Sequence, residues 1–552
     1  MKLALTLSCV LAVELWSHRA EACGCFTPPN PTVPVVQAGE RILFAVENGQ
    51  VTAHVQVQYS GASGQEFGWL LPLPSVPTLE LGTDELFARL TVATQPRYQM
   101  NTTFSANCRV LSGAGGSGGF GGGAASGGGP GGFADAGSSG PPSPLVVQDS
   151  VGPYDYAVLR ADSKADMLEW LQSNHYFVPS GTDDSVAPYI RPGSFFLALK
   201  LRPGNTTGDL QPVVLHYASD LGVIPITLTS TGAEENMGVQ VFMLGQHRAI
   251  PRNYNHTIIN DAVIDWPSSG ANYNDVVIRA VGEAPGKHTF VTEFSGASTV
   301  MRGVLTPFNR FGTKNEFAAT LTPEAFIDLI WARQFAAVSS LSPFSGPVLP
   351  GALKAILTKY LPLPTGVTAD SFFASYRYYQ DQAPPPDFQP QAMADEIWER
   401  VVVPTQKASA LFDTLPTLTR LYSTISPADM NKDPAFSFNP DLRSVSNVHT
   451  ATMNVWCDQY SGGESEAVLT TEQGWQLPYP DGRFATIGVD RSKLKASLVI
   501  EVLREEGLPE NVVSNIPGIE PLPAAKRGCG CDSAPAVLGV IALLVLRRRK
   551  IS

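Results

Sequence analysis

The chain has 552 residues, 43% of them apolar, and its 16% charged content lies well under the roughly 25% of ordinary globular proteins. Lys and Arg number 38 against 50 Asp and Glu, and the net charge of −12 excludes a basic nucleic-acid-binding body. Fifty Gly and 45 Pro argue against a coiled coil or a mostly helical chain, and the length suggests roughly two to four domains.

The N-terminus carries Lys2, an apolar run from Leu3 to Val13, and Ala20-Glu21-Ala22. This pattern predicts a signal peptide over 1–22, handed to the export machinery and cleaved by signal peptidase to leave Cys23 first. Residues 23–111 read as a β-rich part of the body. Asn48-Gly49 marks a hairpin between Arg41–Glu47 and Val51–Tyr59. Period-two alternation in the second strand puts His54 and Gln56 on a wet face, where His54 is a candidate for a binding surface. Glu66–Leu71 reads as a third strand. Asp84–Thr94 reads as a helix, with Thr83 as its N-cap and acids in its first turn.

Residues 112–144 are rich in Gly, Ser, Ala and Pro and read as a disordered loop. A Gly115-Gly116-Ser117-Gly118-Gly119 match to a nucleophile elbow lies within it. That elbow needs a strand before it and a helix after it, and this composition supplies neither. Residues 145–320 read as a β-rich core, with strands that include Ser194–Arg202, Pro212–Tyr217, Val223–Thr229, Val239–Gly245, Val276–Ala280 and Thr289–Phe294. A helix is expected from Ser163 to Asn174. The period turns helical over 321–416, beginning at the Thr322-Pro323 N-cap signal. Residues 417–504 read as a C-terminal α+β part, with strands at Val448–Cys457, Glu466–Thr471 and Ala496–Leu503, and 505–528 reads as a tether. The expected class is α+β: an antiparallel, sandwich-like β-rich core with an inserted or appended helical region.

The C-terminal tail, 529–552, reads Cys529-Gly530-Cys531-Asp532, then an apolar run Ala534–Leu546, then Arg547-Arg548-Arg549-Lys550. Thirteen helical residues rise about 20 Å, short of the ~30 Å hydrocarbon core. The short span with a basic stop predicts a temporary anchor read by a processing enzyme, with a permanent tail anchor as the alternative. Of seven cysteines, Cys9 leaves with the signal peptide and Cys529 and Cys531 are candidates for processing or lipidation. Cys23, Cys25, Cys108 and Cys457 remain as disulfide candidates. Cys23 and Cys25 are too close to pair with each other, so Cys108 and Cys457 are each expected to meet one of them.

This tail resembles the C-terminal sorting signal of myxobacterial surface proteins, in which a Gly-Cys motif precedes a short apolar helix and an Arg cluster. The resemblance implies cleavage by a sorting protease, lipid attachment at the cysteine and transfer to the outer surface. The body resembles a bacterial exported family of unknown function, DUF2330. The matching stretches are Val36–Arg41, His54–Tyr59, Trp69–Pro77, Val151–Asp155 with Trp170-Leu171, and Leu418–Pro427 through Asn439–Leu442. That resemblance is expected over most of 23–460, with the Gly-rich loop as an insertion, and it implies no catalytic residues.

No His-Glu-x-x-His, phosphate loop or dinucleotide fingerprint occurs, and no cofactor is expected. His247 and His256 are a weak metal pair. Asp429, Asp433 and Asp441, within an Asn/Asp-rich stretch, are candidates for a Ca²⁺ site, although Asn and Asp are also the ordinary turn residues. Trp69, Trp170, Trp266, Trp331, Trp398, Trp456 and Trp475 read as packing residues rather than a sugar platform. The leading reading is a surface-anchored structural or binding protein, held to the membrane by its tail or a lipid. The alternatives are a hydrolase of envelope polymers with an unsignalled carboxylate pair, and an envelope-assembly accessory.

Overall fold

The computed structural model describes residues 37–56, 68–106, 108, 144–174, 182–202, 210–336, 348–457, 464–480 and 493–516. The expected signal peptide, Cys23, Cys25, the expected Gly-rich loop and the C-terminal tail lie outside the described residues. Among the described residues no helix is long and apolar enough to cross a membrane.

The fold is α+β and is built on a ten-stranded sheet. Its order is Glu510–Ser514, Ser497–Val502, Asn255–Ile259, Thr289–Ala297, Thr417–Ile425, Ala233–Gly245, Gln37–Glu47, Gln50–Gln56, Val213–Ala218 and Thr78–Leu81. The sheet is mixed where antiparallel pairing was expected. Gln37–Glu47 runs parallel to Ala233–Gly245, and Asn255–Ile259 runs parallel to Thr289–Ala297. Each parallel pair is separated by a long crossover, which an antiparallel meander does not need.

The hairpin forms as the sequence predicts. Asn48 and Gly49 take φ of 52° and 74°, the left-handed pair that a two-residue turn requires. One face of the large sheet buries Ile42, Val51, Val55, Leu215, Val241 and Leu421 against Trp69, Val158, Leu197 and Leu199. Those last residues belong to an antiparallel sheet of Gly68–Leu73, Phe195–Leu201, Tyr154–Arg160 and Leu145–Val151. Pro72 is tolerated because its strand is the edge of that sheet.

The other face of the large sheet is covered by helices. Leu43, Phe242, Leu244 and Leu418 pack against Leu86, Phe87 and Leu90 of helix Asp84–Thr94 and against Ala408 and Phe412 of helix Val403–Thr414. The helical stretch has a core of its own around Phe317, Phe326, Ile330, Leu353, Ile356 and Ile397.

Several expectations are corrected. Val276–Ala280 is helix, not strand: Tyr273–Glu283 buries Val276, Val277, Ala280 and Val281, one face of a 3.6-residue repeat. Val223–Thr229 shrinks to the two-residue strand Gly222–Val223 followed by a helical turn, Ile226–Thr229, because Pro225 cannot donate to a ladder. Part of the expected tether is the edge strand Glu510–Ser514, paired with Ser497–Val502. Thr83 stands at the expected N-cap, but its side chain makes no cap bond and instead accepts from the Thr405 hydroxyl at 3.2 Å.

Cys108 and Cys457 are bonded to each other rather than to Cys23 and Cys25. Arg97–Phe104 and Val448–Cys457 are neighbouring parallel strands, so the residues just past their ends arrive side by side.

Candidate functional site

The helix-covered face of the large sheet opens at one end into a polar cleft of about 470 Å³. Strand register builds its floor. Gln56, Arg41, Gln240 and Tyr422 lie opposite one another across four adjacent strands. Gly39 and Gly238 form the next rung, and their missing side chains leave the space open; a Cβ on Gly238 would sit 3.1 Å from the Tyr422 hydroxyl. Thr91 and Gln95, at the end of the first helix, wall one side. Tyr273 and Asn274, at the start of helix Tyr273–Glu283, wall the other, and Asn274 Oδ1 accepts from Tyr422 at 2.7 Å.

Two guanidinium groups face this space. Arg420 is 5% exposed and is held by Glu293 in a buried ion pair. Arg420 also donates to the Thr91 carbonyl and the Thr94 hydroxyl, each at 3.4 Å. Arg41 is held far more loosely. Its Nη1 donates to Gln56 Oε1 at 3.4 Å, and among the described residues no carboxylate lies within ion-pair distance of it. Asp84, the acid whose charge acts on Arg41, accepts from Gln56 Nε2 at 2.8 Å instead. Burial and the neighbouring Arg420 charge hold the Arg41 guanidinium below its usual range, and burial pushes Asp84 up. A poorly solvated cation with spare donors suits a planar oxyanion.

A second cavity of about 510 Å³ shares Pro96, Tyr273 and Glu293 with the first. Here His256 Nδ1 meets Glu501 Oε1 at 2.9 Å, and its Nε2 accepts from the Thr292 amide at 3.3 Å. The Thr292 amide donates, so the proton sits on Nδ1 and the ring is neutral; burial lowers its pKa accordingly. Arg248 donates to the Arg443 carbonyl at 3.1 Å and to the Thr292 hydroxyl at 3.3 Å, while its buried Nε has no partner. Burial, aided by Glu472, pushes Asp261 up to about 7.

The sequence candidates fall elsewhere. His54 is 3% exposed and not on a wet face, because the helices cover that side of the sheet. Burial and His216 push its imidazole down to about 3. His247 is exposed while His256 is buried against Glu501, so the two do not form a pair. Asp429, Asp433 and Asp441 are not brought together. Asp429 takes Lys287 at 2.8 Å, Asp433 takes Tyr189 and Thr227, and Asp441 takes the Gly507 amide at 2.7 Å. Among the described residues no three His, Cys, Asp or Glu gather for an ion. Trp69 and Trp266 are core residues, and Trp456 is 45% exposed.

The sequence model of one bacterial family, "Uncharacterized protein conserved in bacteria (DUF2330)", matches residues 18–308. The chain belongs to the DUF2330 family. The match is shorter than the resemblance suggested, and Leu418–Leu442 lies beyond it. Within the matched part stand Arg41, Gln240, Arg248, His256, Asp261 and Glu293; Arg420, Tyr422 and Glu501 stand outside. Both cavities are therefore completed by residues past the family match. No curated protein and no solved structure matches the chain.

Sequence reading missed Arg41, Glu293 and Arg420 because each sits in a strand with no local motif. The one available signal was that Arg41 and Arg420 alternate with the apolar Leu43 and Leu418 on the same faces of their strands.

Proposed function

We propose that this DUF2330 protein is exported, held at the outer surface of the cell, and binds a ligand presenting an oxyanion in the Arg41 cleft. The observation that carries the binding reading is Arg41: a half-buried guanidinium facing a 470 Å³ cavity with one long contact to an amide. Leaving such a charge unmatched is costly, and a bound carboxylate, phosphate or sulfate would offset that cost. The Cys108–Cys457 bond supports an oxidising compartment, as does the signal-like N-terminus. The sorting-type tail, with Cys529 or Cys531 as the processed residue, is the reason to place the protein outside.

Two measurements test this. Calorimetric titration with inorganic phosphate, inorganic sulfate and glucuronate should give saturable binding of at least one. Arg41→Gln should weaken it roughly tenfold or more. Undiminished binding in R41Q, or no binding of any of the three, removes the reading. Mass spectrometry of the protein from native membranes should find Cys23 first and a lipid-bearing end near Cys529–Cys531. A tail still carrying Arg547–Ser552 would make it a permanent anchor instead.

A second reading, hydrolysis of an envelope polymer, is favoured by Asp261. Its carboxyl, near 7 and lining the same cavity as Glu501, has the protonation a general acid needs. Release of reducing ends from peptidoglycan, abolished by Asp261→Asn, would establish that activity.

A further inference from the structure

The opposite face of the large sheet holds a chemically different cavity, of about 340 Å³, at the lower end of the ~300–1,000 Å³ typical of small-molecule sites. Strand alternation places Ile42 and Phe44 on this face, and Trp69, Leu215 and Tyr217 complete its apolar walls. Glu40 lies on the same side of its strand and is the exception. It is 8% exposed, and its Oε2 has no hydrogen-bond partner.

The other carboxylate at this cavity is fully engaged. Asp433 accepts from the Tyr189 hydroxyl at 2.9 and 2.7 Å, from the Thr227 amide at 3.0 Å and from the Thr227 hydroxyl at 2.8 Å. Among the described residues, Glu40 has no such donors. Burial, with Asp433 adding to it, pushes its carboxyl up to about 8, so at neutral pH it holds a proton with nothing to donate it to.

We propose that this cavity binds an uncharged, mainly apolar small molecule carrying one carbonyl or hydroxyl oxygen, which accepts a hydrogen bond from the Glu40 carboxyl. An anionic head group would meet Asp433. The cation of the lining, Arg191, is solvent-exposed, and Tyr189 and Tyr217 are kept neutral by burial. The walls and the single buried donor therefore select for an apolar body with one acceptor. The Arg41 cleft faces the other side of the sheet, and Glu40 is the one residue that lines both cavities.

The probe is 2-acetylnaphthalene, a neutral ketone, titrated by calorimetry and by its own fluorescence at pH 6 and pH 9.5. Saturable one-to-one binding is expected, weaker by roughly tenfold at the higher pH, where Glu40 ionises. Glu40→Gln keeps a neutral donor and should bind equally at both pH values. Glu40→Leu should bind roughly tenfold more weakly at pH 6. Ser194→Trp, at the lining, should block the cavity without touching Glu40. R41Q should leave ketone binding unchanged, which separates this test from that of the oxyanion cleft. The proposal is overturned if no saturable binding occurs, if wild type, E40L and S194W bind alike, or if the pH dependence survives in E40Q.

Discussion

Glu293 owes its place in the cleft to one extra residue in its strand. In the pairing of Thr289–Ala297 with Thr417–Ile425, Thr292 faces Leu421 and Phe294 faces Arg420, so Glu293 has no partner of its own in the ladder. A bulge of this kind re-aims a side chain, and here the carboxylate meets Arg420, with both side chains almost wholly buried. Removing one member of such a pair strands the other. Glu293→Gln is expected to cost about 3–5 kcal/mol in urea unfolding, and replacing both members with apolar residues to cost much less. Glu40 gives a second prediction, with a definite sign. A carboxyl raised from 4.5 to about 8 binds more protons folded than unfolded between those values. Its contribution is therefore lost as pH rises through that window. E40Q should gain stability over wild type from pH 5 to pH 9, by on the order of 3 kcal/mol at the upper end; a constant difference across that range would contradict the buried-acid assignment. Neither residue was legible as a candidate in the sequence. A bulge leaves no composition signal, and the sequence does not say which face of a strand a helix will cover. His54 shows the same limit: its alternation was read correctly, but the face taken as wet lies under helix.

The helical region is joined to the sheets by a defect in a helix. Helix Pro390–Ile397 runs through a π-turn, Trp398–Val402, into helix Val403–Thr414. Pro404 has no amide hydrogen for the Arg400 carbonyl four residues back. That carbonyl accepts from Gln211 Nε2 at 2.7 Å, and Gln211 Oε1 accepts from Arg400 Nε at 3.0 Å. Gln211, 4% exposed, thus links the strand side to the helical side through a group that an unbroken helix would have used itself. Gln211→Leu should leave buried polar groups unpaired and cost about 1–3 kcal/mol in thermal or urea unfolding. A negligible cost would mean that water or a shifted helix satisfies Arg400. At this scale the sequence was most legible where local chemistry dictates geometry. Asn48-Gly49 placed the hairpin, Thr322-Pro323 placed a helix start whose cap bond to Ala325 forms at 3.2 Å, and Val448–Cys457 was read as the strand it is. It failed where β-branched residues crowd a helix. Val276-Val277-Ile278 reads as strand, yet tertiary packing makes it helix, tied down by Glu283 accepting from the Ala496 and Ser497 amides at 3.0 and 2.9 Å.

Over the whole molecule, the large sheet separates two kinds of space. Arg41 and Arg420 look into a polar cleft under the helices, and Ile42 and Phe44 look into an apolar cavity under the second sheet, with Glu40 lining both. One strand thus serves two chemistries by alternation alone. The long-range order behind this arrangement is spread along the chain. Arg97–Phe104 pairs in parallel with Val448–Cys457, and Tyr98, at the start of the first of these strands, stacks on His449 at 4.7 Å and meets Trp266 edge-on at 5.2 Å. The Cys108–Cys457 bond closes that seam across a sequence separation of 349. Constraining so long a loop removes many unfolded conformations, and loss of a native disulfide typically costs about 2–5 kcal/mol. A Cys108→Ser/Cys457→Ser double variant should therefore unfold at lower urea than wild type. Wild type in reductant should fall to the same midpoint, because both treatments free the same loop. If reductant leaves the wild-type midpoint unchanged while the variant is destabilised, the loss comes from packing around Cys457 rather than from the cross-link. The cross-link would then not be what holds the two halves of the chain together.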